Sequence, residues 1–124
     1  MNKRDFIKKS GLGALGVALA PSFLQNLKHL GPQDKLRTAH IGLGVQGLAD
    51  LQDTASHPAV EVVALCDVDA TALANASARY PDAKTYTDYR TLLSEMKDQI
   101  DAVIVATPDH THAPASLMAM EMDK

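Results

Sequence analysis

Three glycines stand in the order Gly42-Leu43-Gly44-Val45-Gln46-Gly47, and an acid, Asp67, follows about twenty residues after the last of them. This spacing suits an anion held by main chain rather than by side chains. Gly42 permits a tight turn out of a strand, Gly44 lets a diphosphate come close to the backbone, and Gly47 lets the following helix pack on the strand. A helix beginning at Val45 points unpaired N–H groups and the positive end of its dipole at the phosphates, so no cationic side chain is required. Asp67 lies where a carboxylate accepts both hydroxyls of an adenosine ribose, and its charge repels a 2′-phosphate. The set reads as a dinucleotide site in which NAD is preferred and NADP is the second candidate.

Such a site needs a strand before the glycines and a second strand before the acid, and the chain provides both. Leu36 to Ile41 is an apolar-leaning strand; Val45 to about Ser56 is a helix with Leu48, Leu51 and Ala55 at helical spacing, ended by His57-Pro58. Val60 to Cys66 is a near-continuous apolar run, the mark of a parallel strand covered on both faces. Asp69 is placed to cap a helix from Ala70 to Arg79, Lys84 to Tyr86 is a short strand, and Thr87 or Asp88 caps a helix carrying Tyr89, Leu92, Leu93 and Met96 on one face. Ile100 to Ala106 is a fourth strand, Thr107-Pro108-Asp109 a loop, and Pro114 is expected in the first turn of a last helix reaching Met122. Alternating strands and helices predict an α/β fold: a doubly wound parallel sheet of Rossmann type, strand order 3-2-1-4, cut short after the fourth strand and its helix.

The chain has 124 residues, 46% hydrophobic and 22% charged, with a formal net charge of −3. That is room for one domain, and neither a basic excess nor an aromatic-studded basic patch points to nucleic acid. The single cysteine, Cys66, excludes an internal disulfide and reads as a small buried strand residue rather than a reactive thiol. All seven glycines fall at or before Gly47, which divides the chain. Residues 1–35 read as an export signal and linker, 36–124 as the dinucleotide-binding domain. Lys3, Arg4, Lys8 and Lys9 precede a short apolar stretch, Leu12 to Ala20, too short for a stable membrane span. Asn2 to Lys8 is similar to a twin-arginine export signal with Lys3 in place of the first arginine, which predicts a periplasmic location and a cofactor loaded before export; a cytoplasmic protein with an amphipathic first helix is the alternative.

Read with the glycine loop, the segments Ala64-Leu65-Cys66-Asp67-Val68-Asp69, Tyr86-Thr87-Asp88-Tyr89 and Thr107-Pro108-Asp109-His110-Thr111-His112 resemble the Gfo/Idh/MocA oxidoreductase family, which includes glucose-fructose oxidoreductase and inositol dehydrogenase. The resemblance covers about Leu36 to Lys124. It places the family's glycine loop on Gly42, Gly44 and Gly47, its ribose-binding acid on Asp67, and its Thr-Pro-x-x-x-His loop on Thr107, Pro108 and His112, with Asp109 where relatives often carry asparagine. It implies hydride transfer between a sugar or polyol carbinol and a nicotinamide, and a full-length protein that forms a homo-oligomer. It also implies a catalytic lysine in a Glu-Lys-Pro or Gln-Lys-Pro motif beyond this segment and a second domain bearing the sugar pocket. No catalytic residue is therefore expected within these residues, and the last helix is expected to run off the end of a longer protein.

Plainer readings apply elsewhere. His110 and His112, beside Asp109, are two histidines with no third partner at ligand spacing, so no metal is expected, and His112 is alternatively a cap for the last helix. Met118 and Met122 share a helix face and read as packing. His40 reads as a sheet residue, and Asp53, Glu61 and Asp101 as surface charges. Three functions compete: the sugar oxidoreductase, an NAD-using glycoside hydrolase of the same family, and a non-catalytic dinucleotide-binding subunit. A methyltransferase fold also puts an acid after its second strand, but the three glycines and Thr107-Pro108 weigh against it.

Overall fold

The computed structural model describes residues 35–124, so the expectations for the export signal lie outside the described residues. The elements run β1 (Leu36–Ile41), α1 (Val45–Ala55), β2 (Val60–Cys66), α2 (Ala70–Arg79), β3 (Lys84–Tyr86), α3 (Tyr89–Met96), β4 (Ala102–Val105) and α4 (Asp109–Glu121). All pairings are parallel and the strand order is β3-β2-β1-β4, the order expected from the sequence.

Handedness explains where the helices go. From β1 to β3 the chain steps in one direction, and right-handed crossovers keep α1 and α2 on one face. The step from β3 back past β1 to β4 reverses direction and sends α3 to the other face. Two cores result. Leu51 and Ala76 meet Leu43, Leu65 and Ala83 on the first face. On the second, Leu92, Leu93 and Met96 of α3 and Ala115 and Ala119 of α4 cover Ala39, Ile41, Ala64 and Cys66. The reversal leaves a crevice between the carboxyl ends of β1 and β4, where ligands of such sheets bind.

Local signals hold the helices in register. Asp69 accepts the N–H groups of Thr71 and Ala72 at 2.8 and 3.3 Å, and Asp88 accepts that of Arg90 at 2.8 Å. Each such cap contributes about 1 kcal/mol. Between β1 and β2 the register shifts after Thr38, which pairs with Val62 while Ala39 pairs with Ala64. The extra residue, Val63, joins Ala64 on the α3–α4 face. This bulge restores alternation so that Leu65 and Cys66 point to opposite cores before Asp67 is reached.

Asp101 overturns its reading as a plain surface charge. It lies just before β4, which begins at Ala102 rather than Ile100, and its carboxylate accepts from Arg37 three times: backbone N–H at 2.8 Å, Nε at 3.0 Å and the terminal guanidinium nitrogen at 2.9 Å. The Asp101 N–H returns a bond to the Arg37 carbonyl at 2.8 Å. The pair pins β4 to β1 at the edge opposite the crevice, and Arg37 holds the Asp101 carboxyl below its usual range. Asp101→Ala leaves the Arg37 amide without its acceptor, and a loss of about 1–2 kcal/mol is expected after discounting for partial exposure. Urea unfolding of the variant measures it.

The last helix also begins earlier than its proline suggests. The carbonyl of Pro108 accepts N–H groups from Thr111 and His112, both at 3.0 Å, so the helix starts at Asp109 and Pro114 lies inside it. Proline removes the partner of the His110 carbonyl, but His110 and Pro114 are both exposed, where solvent is free to take its place. The helix ends at Glu121. Asp123 adopts a left-handed φ of 60°, with Asp123 N–H bonded to Met120 and Lys124 N–H to Ala119, which is a Schellman closure. Among the described residues no helix is long and apolar enough to cross a membrane.

Candidate functional site

The sheet stays bonded to the lip of the crevice. Gly42 N–H donates to the Cys66 carbonyl at 2.9 Å, Ala106 N–H to that of Ile41 at 2.8 Å, and Asp67 N–H to that of Tyr86 at 3.2 Å. All four strand ends therefore present their loops from one continuous edge.

The three glycines separate by what surrounds them. Gly42 turns the chain at φ +93°, and a Cβ there would lie 2.6 Å from the carbonyl carbon and oxygen of Ala106. A Cβ on Gly47 would collide with the Gly42 carbonyl, because α1 crosses directly over the turn. A Cβ on Gly44 would meet no protein atom within 4 Å. Packing thus accounts for Gly42 and Gly47, and leaves Gly44 bare toward solvent with Val45 and Gln46 exposed beside it. Gly44 is also the N-cap of α1, and no side chain caps the helix there. The first-turn amides keep their capacity for an anion.

Leu43 and Asp67 complete the lip. Leu43 is buried in the α1–α2 core and its N–H donates to Asp67 Oδ2 at 2.7 Å; Asp67 Oδ1 accepts the Asp69 N–H at 2.8 Å. Gln46 spends its amide on Asp50, one turn along α1, at 2.7 Å. Cys66, below the lip, is buried, and desolvation first and then Asp67 push its thiol up to about 12, which keeps it protonated and inert.

Across the crevice stands Thr107, brought against Gly42 by the β1–β4 pairing: its N lies 2.9 Å from where a Gly42 Cβ would be. The Thr107 hydroxyl is buried and has no hydrogen-bond partner. Pro108 and Asp109 follow at the start of α4, and His112 is in its first turn, exposed, with its N–H given to Pro108. His112 is accordingly a helix residue and not a side-chain cap. Among the described residues no group of three or more His, Cys, Asp or Glu is arranged to hold a metal. Sequence reasoning missed the bond from Leu43 to Asp67, whose only advance signal is an acid at the end of the strand next to a glycine loop.

Residues 36–124 match the model of the oxidoreductase family with an NAD-binding Rossmann fold. The chain belongs to this Gfo/Idh/MocA family. The myo-inositol dehydrogenase of Lactobacillus casei, solved with NAD(H) and myo-inositol, is 33% identical with a TM-score of 0.65, covering 73% of this chain and 26% of that one. The WlbA dehydrogenase of Chromobactrium violaceum, solved with NADH and UDP-GlcNAcA, is 27% identical with a TM-score of 0.62, over 74% of this chain and 26% of that one. A glycosyl hydrolase family 109 protein of Stenotrophomonas maltophilia is 37% identical over 98% of this chain, which spans 28% of that protein.

The residues of this NAD-binding domain fit the coenzyme. An uncapped helix start beside a glycine with open space suits a diphosphate, a half-buried carboxylate with unused lone pairs suits a ribose, and the unpartnered Thr107 hydroxyl is a polar group still lacking a partner.

Proposed function

We propose that this chain is the cofactor-binding portion of an NAD-dependent oxidoreductase that moves a hydride between a carbinol carbon of a sugar or polyol and the nicotinamide. The observation that carries the reading is Gly44: in a loop whose other glycines are filled in by protein, it alone opens onto free space next to uncapped amides. Bound NAD supplies the hydride acceptor. The amides of the first turn of α1 take the diphosphate and Asp67 takes the adenosine ribose, which together orient the dinucleotide along the strand ends. Thr107 offers its hydroxyl from the β4 side. Pro108, Asp109 and His112 border the same crevice. The family resemblance assigns the proton of the substrate hydroxyl to a lysine in a Glu-Lys-Pro or Gln-Lys-Pro motif, which is not among these 124 residues.

The test is to supply the full-length protein with NAD and a panel of sugars and polyols and to follow reduced nicotinamide. Substrate-dependent reduction is expected; absence of NAD binding defeats the reading. A second reading is a glycoside hydrolase in which hydride is borrowed and returned, favoured by the name of the 37%-identical Stenotrophomonas relative. Release of a phenol from an aryl glycoside without net NADH selects it. Export with the coenzyme already bound belongs to the proposal in either case, and rests on the basic start and apolar stretch of residues 1–20.

A further inference from the structure

Asp67 has given both of its oxygens to the protein's own backbone before any ligand arrives. The two donors belong to different turns: Leu43 sits in the glycine loop after β1, 24 residues away in sequence, and Asp69 is the N-cap of α2. Glycines flank Leu43 on both sides, and glycine is the residue with the most backbone freedom to lose. A loop built this way needs a fixed point. The Leu43 side chain is anchored in the α1–α2 core, and its peptide N–H is fixed by the carboxylate.

We infer that Asp67 is a positioning residue for the diphosphate loop as well as the ribose acceptor, so that removing its carboxylate does not by itself convert the site to NADP. The inference rests on the NAD site proposed above. A carboxylate has about four acceptor positions, and one is used on each oxygen, so a ribose can share it without breaking either bond. Removal has two consequences of opposite sign for NADP. Repulsion of a 2′-phosphate disappears, but the Leu43 N–H loses its acceptor and the loop must be ordered again at each binding event. The second cost falls on every ligand that carries the diphosphate.

The deciding probe is 2′,3′-dideoxyadenosine 5′-diphosphate, which keeps the diphosphate and lacks both hydroxyls that Asp67 would hold. Calorimetric titration of the full-length protein, Asp67→Ala and Asp67→Asn with this probe, ADP, NAD and NADP separates the roles. Both variants remove the charge; asparagine retains one carbonyl oxygen, which serves the part-buried Leu43 N–H while the exposed Asp69 N–H turns to solvent in both variants, so the difference between them reports the acceptor at Leu43. Asp67→Ala is expected to bind the dideoxy probe about tenfold more weakly than Asp67→Asn and to gain no affinity for NADP. Amide exchange at Leu43, read without ligand, should speed up in the alanine variant and recover in the asparagine variant. Equal probe affinity and equal Leu43 exchange in the two variants would overturn the positioning role while leaving the NAD site standing. A wild-type protein that binds neither ADP nor NAD overturns both.

Discussion

Replacing Gly42 by alanine should cost the domain much of its stability, whereas replacing Gly44 by alanine should leave the fold intact and weaken NAD binding. At Gly42 two penalties act together. The φ of +93° is a strained conformation for an L side chain, and the new methyl would be pushed into the Ala106 backbone, which belongs to a paired strand end and cannot yield as a flexible side chain would. Strain and overpacking of this kind cost about 1–3 kcal/mol each, so a loss of about 2–6 kcal/mol is expected. Set against a typical domain stability of about 5–15 kcal/mol, that is a large share. Gly44 has φ −66° and ψ −166°, an extended conformation open to any residue, and free space at the Cβ position. Its alanine variant should unfold within about 0.5 kcal/mol of the parent. The methyl instead occupies the approach to the first-turn amides, and NAD affinity should fall about 10- to 100-fold. Denaturant unfolding and titration with NAD, run on both variants, give the comparison. A Gly44→Ala protein that binds NAD like the parent would remove the diphosphate from this loop.

The contrast also shows how differently the parts of the site could be read from sequence. Glycine spacing, the acid at the end of β2, the strand order and the caps at Asp69 and Asp88 are local signals: each depends on a few neighbouring residues and on a rule of chirality. Contacts between distant segments left no such mark. Asp101 and Arg37 are 64 residues apart, and nothing around either one announces a bidentate pair, so a charge beside a strand passed for surface. The tie between Asp67 and Leu43 is hidden in the same way. The bulge at Val63 shifts register within the apolar stretch Val62 to Cys66, where side-chain type carries no alternation to disturb. Pro114 misled for a different reason. Proline favours the first turn of a helix, but tertiary placement of Pro108 in the loop after β4 supplied an earlier start, and the exposed positions of His110 and Pro114 made the interior proline tolerable.

His40 is the remaining buried polar residue of the first strand, and it makes the domain's stability depend on pH below neutrality. It is 1% exposed on the face of β1 that carries Thr38. The Thr38 hydroxyl donates to the Glu61 carbonyl at 3.4 Å and stands 3.2 Å from His40 Nε2, so the consistent assignment puts the ring proton on Nε2 and leaves Nδ1 as a bare acceptor without a partner. Protonating Nδ1 would create a buried cation with no acceptor. Desolvation therefore lowers the His40 pKa to about 4, and the Asp50 charge opposes this only in part. The unfolded chain binds its proton near pH 6.5, above the folded value, so the stability is complete above pH 6.5 and drains away as pH falls toward 4. A gap of that size corresponds to about 3 kcal/mol over the interval. His40→Val keeps an apolar, strand-favouring side chain and leaves Thr38 its bond to Glu61. Unfolding free energies measured from pH 7 to pH 4 should fall more steeply in the parent than in this variant by about that amount, and parallel curves would mean that His40 takes up its proton without leaving the fold.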